Sequence, residues 1–247
     1  MIAFFTDFGL NGPYVGQMHA VVRALFPTAP IVDLFHDAPP FNVRAAAYLL
    51  PAYAAVVPRR SVICAVVDPG VGMARAAVIV EADGRLFIGP DNGLFTLIAR
   101  RASLTRTHEV LWRPTALSAS FHGRDLFAPV AAMLARGEWP ESRPANLSAQ
   151  QPDWPDDEAR VLYVDRYGNC ITGIRVSMMA ESQSLRVAGT ALPRARTFAD
   201  LAPQTPFWYE NANGLAEIAV REGSAAEHLH LQVGDAVSLQ VADRVGA

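Results

Sequence analysis

Cysteine is scarce: Cys64 and Cys170 are the only two, far apart and without a second thiol at metal-ligand spacing. Neither a disulfide scaffold nor a zinc site is expected, and both read as small core residues. Basic charge is short as well. The formal charge of −3 leaves no surplus to neutralise a phosphate backbone, which argues against a nucleic-acid partner. Long apolar runs are missing too, because prolines and charges interrupt each candidate before the roughly 20 residues that a membrane helix needs. No membrane partner is expected. The chain opens with Met1-Ile2-Ala3-Phe4-Phe5, a buried-strand pattern without the basic region and cleavage site of a signal peptide, so the expected location is cytoplasmic. A P-loop, a Gly-x-Ser-x-Gly elbow and a Rossmann glycine fingerprint are also lacking, which weakens kinase, serine hydrolase and dehydrogenase readings.

What is present is enough apolar material for a core. Hydrophobic residues make up 51% of 247, which suits a soluble globular protein of one large or two unequal domains. Residues 2–5, 30–34 and 61–67 read as strands, the last almost wholly apolar, as in a strand covered on both faces. Between them, 14–25 and 42–55 read as helices, the first with apolar residues near helical spacing and a stop at Pro27. Residues 76–81 and 85–89 flank Ala82-Asp83-Gly84, where Asp-Gly signals a hairpin. Helices are expected over 94–101 and 126–136. A polar stretch with Pro140, Pro144, Pro152 and Pro155 then marks a linker, and short alternating strands follow over 161–164, 170–175, 185–187, 216–220 and 236–241. The fold class is α/β. A helix-flanked, mostly parallel sheet domain (1–140) is joined by a linker (141–159) to a smaller all-β C-terminal domain (160–247).

Polar side chains sit at strand ends and beside glycines, where α/β enzymes place catalytic groups. Asp7, in Thr6-Asp7-Phe8-Gly9, follows the first strand, where a carboxylate can accept hydrogen bonds from two adjacent sugar hydroxyls; capping of the next turn is the plainer account. Asp68 ends the third strand, and Pro69-Gly70-Val71-Gly72 after it brings backbone close to whatever lies above. Arg75 is near enough to pair with Asp68. His122, in Phe121-His122-Gly123-Arg124-Asp125, can hold or deprotonate a water, although a lone histidine is more often structural. An Asp, an Arg and a His at glycine-flanked loops are together what aligning a water for attack requires. Gly89-Pro90-Asp91-Asn92-Gly93 and Asp165-Arg166-Tyr167-Gly168-Asn169 complete the set.

Other polar groups are less diagnostic. His228 and His230 are spaced as neighbours on one face of a strand, without carboxylates to complete a metal site. Asp33, His36 and Asp37 read as a polar strand end, open to backbone or substrate contacts, so no metal is expected.

With these motifs in this order, the chain resembles the S-adenosylmethionine hydrolases, or hydroxide adenosyltransferases, relatives of the fluorinating and chlorinating enzymes. The likeness runs from Thr6-Asp7-Phe8-Gly9 to Asn211-Ala212-Asn213-Gly214-Leu215-Ala216-Glu217-Ile218-Ala219-Val220. It implies S-adenosylmethionine as substrate, no cofactor, and a homotrimer with active sites between neighbouring subunits. It also implies Asp68, Arg75 and His122 as the water-handling triad. The implied substrate-binding set is Asp7, Phe8, Asn92, Asp165, Tyr167, Asn169, Asn211 and Ala212. Asp7 would take the ribose hydroxyls, Asp165 the methionine amino group and Asn169 the adenine edge, with Tyr167 beside it. One departure stands out: Ala212 replaces a serine whose hydroxyl helps to hold the amino-acid end.

The resembling reaction is in-line displacement at ribose C5′, with water or hydroxide entering opposite the sulfonium and methionine leaving as a neutral thioether. His122 and Asp68 are both candidate proton acceptors. Three alternatives remain, of which a metal-dependent nucleotide hydrolase is the most distant. A halogenase would carry Tyr in place of Asp68, lack His122 and have serine in place of Gly123; a carboxylate in its pocket would repel halide. A non-catalytic sensor of adenosyl ligands would keep Asp7, Asp165 and Asn169 without needing the triad.

Overall fold

The computed structural model describes residues 1–241, so the last six residues of the expected C-terminal domain, 242–247, lie outside the described part. The chain divides into two compact units, Met1–Asp153 and Trp154–Ala247.

The first unit contains β1 (Ile2–Thr6), α1 (Tyr14–Leu25), β2 (Ile31–Phe35), α2 (Val43–Ala54), β3 (Val62–Val66), β4 (Ala77–Ala82), β5 (Arg85–Pro90), α3 (Thr96–Arg101), β6 (Thr105–Val110), α4 (Ala128–Ala135) and β7 (Ser142–Ala145). Its seven strands form one sheet in the order β2-β1-β3-β5-β4-β6-β7. The first four run parallel and β4, β6 and β7 pair antiparallel, so β6 points the same way as the parallel group. Every residue of β1 and β3 is buried, as continuous apolar runs require in strands covered on both faces. Helix α1 buries Val15, Met18 and Val22 at helical spacing, and α2 is capped by Asn42, whose side chain accepts a hydrogen bond from Ala45 N–H.

Asp83 and Gly84 both have positive φ, 46° and 82°, and Ala82 pairs directly with Arg85, so the β4–β5 hairpin closes through a two-residue turn. The expected helix over 126–136 starts earlier. A π-helical turn, Gly123–Phe127, precedes α4 and places His122 at the head of the helical run. Inside the expected linker, Ser142–Ala145 adds β7 to the sheet edge with His108 opposite Pro144. An edge position tolerates proline, which has no N–H to donate outward.

The second unit consists mainly of antiparallel strands: β8 (Glu158–Val164), β9 (Cys170–Arg175), β10 (Gln183–Val187), β11 (Thr190–Leu192), β12 (Pro206–Glu210), β13 (Leu215–Val220) and β14 (Val237–Val241). They form a sheet in the order β12-β13-β9-β8 and a second in the order β11-β10-β14. Trp208, Ile218, Val220, Leu185 and Cys170 are among the residues of its core. Among the short helical turns between the strands, α5 (Ala225–His228) corrects the reading of His228 and His230 as strand neighbours. Ser224 accepts from Glu227 N–H and starts a helical turn that ends at His228, while His230 lies beyond it with φ 53°.

Candidate active site

Strand β1 lies between β2 and β3, so the chain leaves β1 toward one side and later proceeds to the other. The carboxyl ends of β1 and β3 therefore flank a topological switch point, where ligands bind in open α/β sheets. A cavity of about 290 Å³ opens there, lined by residues that include Asp7, Phe8, Tyr14, Phe41, Asp68, Phe121 and His122. Register places Thr6 beside Val66, which brings Asp7 and Asp68 to adjacent strand ends.

Asp68 and Arg75 form a bidentate ion pair: Arg75 Nε donates to Oδ1 at 3.1 Å and to Oδ2 at 3.0 Å, and Nη2 also donates to Oδ2. The same Nη2 lies 2.8 Å from His122 Nδ1. A guanidinium can only donate, so Nδ1 is the acceptor and the neutral ring carries its proton on Nε2. Burial and then the neighbouring Arg75 charge depress the His122 pKa below 6.5. Phe127 supports the guanidinium from behind, with its ring centroid 5.1 Å away.

Asp7 accepts from Phe41 N–H through Oδ2 at 3.0 Å. Burial raises its carboxyl, the Phe41 hydrogen bond opposes this, and the Asp68 charge adds to the rise. Phe8, Phe121 and Tyr14 stack edge-on or tilted, with centroids 5.2–5.8 Å apart. Asn92 does not reach this cavity wall. Its amide donates to Val67 O at 2.9 Å and accepts from Leu94 N–H at 3.3 Å, so it braces the ends of β3 and β5.

The other five expected substrate residues lie in the second unit and converge there. A cavity of about 770 Å³ is lined by Asp165, Tyr167, Asn169, Asn211 and Ala212, among others. Asp165 closes its own turn, accepting from the N–H groups of Tyr167 and Asn169 at 2.8 and 2.9 Å and from Asn169 Nδ2 at 2.9 Å. Tyr167 stands 77% exposed, free to present its ring to a ligand. Asn211 Oδ1 accepts from Asn213 and Leu215 N–H, shaping the turn that carries Ala212.

Sequence reasoning missed the groups beneath these. Glu217 is buried, accepting from Tyr209 OH at 2.6 Å and from Asn211 Nδ2 at 2.9 Å. Burial raises its carboxyl; the two hydrogen bonds oppose this, and the Asp165 charge adds to the rise. A lone carboxylate inside the apolar run Leu215–Val220 was the available signal. The rings of Tyr14, Phe41 and Phe121 gave none, because they come from three separate stretches of the chain.

Asp33 and His36 also join a cluster. Asp33 Oδ1 lies 2.7 Å from His19 Nε2 and 3.0 Å from His36 Nε2. Among the described residues no group of three or more His, Cys, Asp or Glu is arranged to hold a metal ion.

Two family models divide the chain between them: the SAM hydroxide adenosyltransferase N-terminal domain matches residues 2–143, and the corresponding C-terminal domain matches 159–238. The chain belongs to this family of enzymes. Among individual relatives, a protein named (R)-S-adenosyl-L-methionine hydrolase from Thermus thermophilus is 41% identical, over 96% of this chain and 98% of its own length. A crystal structure of an uncharacterized conserved protein from Thermotoga maritima has a TM-score of 0.85 at 30% identity, covering 97% of this chain and 100% of that one. A fluorinase from Nocardia brasiliensis is more distant, 22% identical over 98% of this chain and 97% of its own length.

Proposed function

We propose that this enzyme hydrolyses S-adenosyl-L-methionine to adenosine and L-methionine, water attacking ribose C5′ in line with the departing sulfur. The observation that carries this reading is the Asp68–Arg75–His122 array at the first unit's cavity. With Nδ1 occupied by Arg75, His122 can offer a ligand only its Nε2–H and serves as a donor to the water oxygen. The proton acceptor is then Asp68, whose carboxylate keeps lone pairs beyond those given to Arg75. Arg75 holds both partners. The C5′–S bond breaks as the C5′–O bond forms, methionine departs as a neutral thioether, and the water's surplus proton passes through Asp68 to solvent. No acid is needed for the leaving group, so alignment and desolvation carry the catalysis.

Asp7 takes the ribose hydroxyls, Asp165 the methionine amino group and Asn169 the adenine edge, with Tyr167 beside it. The reaction uses no cofactor. The enzyme works in the cytoplasm as a homotrimer with active sites between neighbouring subunits. Leu10, Phe41 and Met73, 74%, 75% and 72% exposed, provide apolar surface for such contacts. Light scattering that returns a monomer mass would remove the trimer.

The deciding experiment is incubation with S-adenosylmethionine in oxygen-18 water, with and without chloride or fluoride, followed by mass spectrometry of the nucleoside. Adenosine labelled at its 5′ oxygen, independent of halide, is expected. A 5′-halogenated nucleoside would make the protein a halogenase, and binding without product would make it a sensor.

A further inference from the structure

We propose that His36 is a positioning residue that sets Asp7 through the Thr6 hydroxyl, by a one-directional hydrogen-bond chain anchored on Asp33. The inference rests on the proposed hydrolysis only through the ribose-binding role given to Asp7.

A carboxylate accepts but does not donate, so the 3.0 Å contact between Asp33 Oδ1 and His36 Nε2 places the His36 proton on Nε2. In the neutral ring, Nδ1 is then an acceptor, and the Thr6 hydroxyl 2.8 Å away donates to it. With its proton so directed, Thr6 Oγ1 receives Phe8 N–H at 3.2 Å, which closes the turn that carries Asp7. Thr6 is fully buried and His36 is 5% exposed, so each of these groups depends on its partner here.

Backbone ties run alongside this chain. His36 O accepts from Gly9 N–H at 2.7 Å, and Thr6 O accepts from Ala38 N–H at 3.2 Å. Phe41 N–H, further along the same β2–α2 connection, reaches Asp7 Oδ2 at 3.0 Å. The segment from His36 to Phe41 thus grips the Asp7 turn on both sides. His36 is absent from the cavity lining, and both its nitrogens are engaged elsewhere, so its effect on the reaction passes through Thr6 and Asp7. His19 Nε2 shares the Asp33 oxygen at 2.7 Å and fastens the far end of the chain to α1.

The test is a double-mutant cycle of Thr6→Val with Asp7→Ala, read as kcat and KM for S-adenosylmethionine and as adenosine affinity by calorimetry. Valine keeps the threonine volume and removes the hydroxyl. Thr6→Val is expected to raise KM about tenfold in the parent enzyme with kcat nearly unchanged, yet less than about twofold when Asp7 is already Ala. Thr6→Ser restores the parent KM. Asp33→Ala, at a more exposed residue, repeats the pattern on a smaller scale and decides the matter if the valine variant does not fold. Equal effects with and without the Asp7 carboxylate would overturn the inference, as would a serine variant that fails to rescue. An enzyme that forms no adenosine removes the hydrolase reading instead; the adenosine affinities then report the same cycle, and absence of adenosine binding overturns both.

Discussion

Arg75 donates through one nitrogen, Nη2, to both the Asp68 carboxylate and His122 Nδ1. One guanidinium therefore orients the first and sets the tautomer of the second. This gives the two candidate acceptors different tasks, which residue types alone leave interchangeable.

Asp68→Asn keeps the shape and removes the charge that receives the proton. Its kcat is expected to fall about 10²- to 10⁴-fold while S-adenosylmethionine affinity, measured by calorimetry, changes only several-fold. His122→Ala loses less, because it gives up one neutral hydrogen bond. The reverse ranking would return the proton to His122.

The acid limb of the rate profile follows from the depressed His122 pKa. Protonating Nδ1 turns its hydrogen against Arg75, so kcat stays level as pH falls through 6.5 and drops only below it. The sign for stability is the same. Between the lowered folded value and 6.5, the unfolded chain binds a proton at His122 that the folded protein refuses, so stability falls with acid across that window. Denaturation midpoints of the parent and His122→Ala, compared from pH 5 to 7, check it; parallel curves would count against it.

Asp7→Asn weakens hydrogen bonds from the ribose to a charged acceptor, each worth about 1.5–3 kcal/mol. KM for S-adenosylmethionine is expected to rise about 10- to 100-fold. The same substitution costs little with a substrate lacking both ribose hydroxyls, and steady-state kinetics on the two substrates tests this. An equal loss on both would detach Asp7 from the ribose.

Ala212→Ser restores a hydroxyl at the second unit's cavity. One hydrogen bond of about 1 kcal/mol corresponds to a several-fold lower KM. Unchanged KM means that the side chain at Ala212 does not meet the amino-acid end.

Gly168→Ala is expected to destabilise the second unit by about 1–3 kcal/mol. Its φ is 82°, and an added Cβ would come within 2.6 Å of Ser224 Cβ and 3.0 Å of Ser224 Cα. Chemical denaturation measures the loss; a variant as stable as the parent would mean that the α5 turn yields.

Local pattern carries much of the fold. The helix expected over 14–25 matches Tyr14–Leu25, the strand expected over 170–175 matches Cys170–Arg175, and Asp83-Gly84 turns its hairpin. Strands β6 and β7 escape sequence reading because they lie toward the sheet edge, partly exposed, with charged and polar residues that satisfy no buried face. Strand β12 is different: Phe207-Trp208-Tyr209 is a strong strand signal that deserved weight in the sequence. In the site, the pairing of Arg75 with Asp68 is legible across one loop. The contact of Arg75 with His122 spans 47 residues, and only the sheet brings it about. Asn92 illustrates the opposite limit, since a glycine-flanked amide that suits a ligand also suits two backbone groups, and here it takes the latter.

Because Thr6 and Val66 are register partners, Asp7 and Asp68 leave the sheet side by side, and the Asp68 charge adds to the rise of the Asp7 carboxyl. Asp68 is paired with Arg75, whereas Asp7 is held by the Phe41 N–H. A cationic ligand beside the two carboxylates would favour keeping both ionised, and a neutral one of similar shape would not. The sheet's register thus makes this corner of the cavity sensitive to the charge of whatever occupies it.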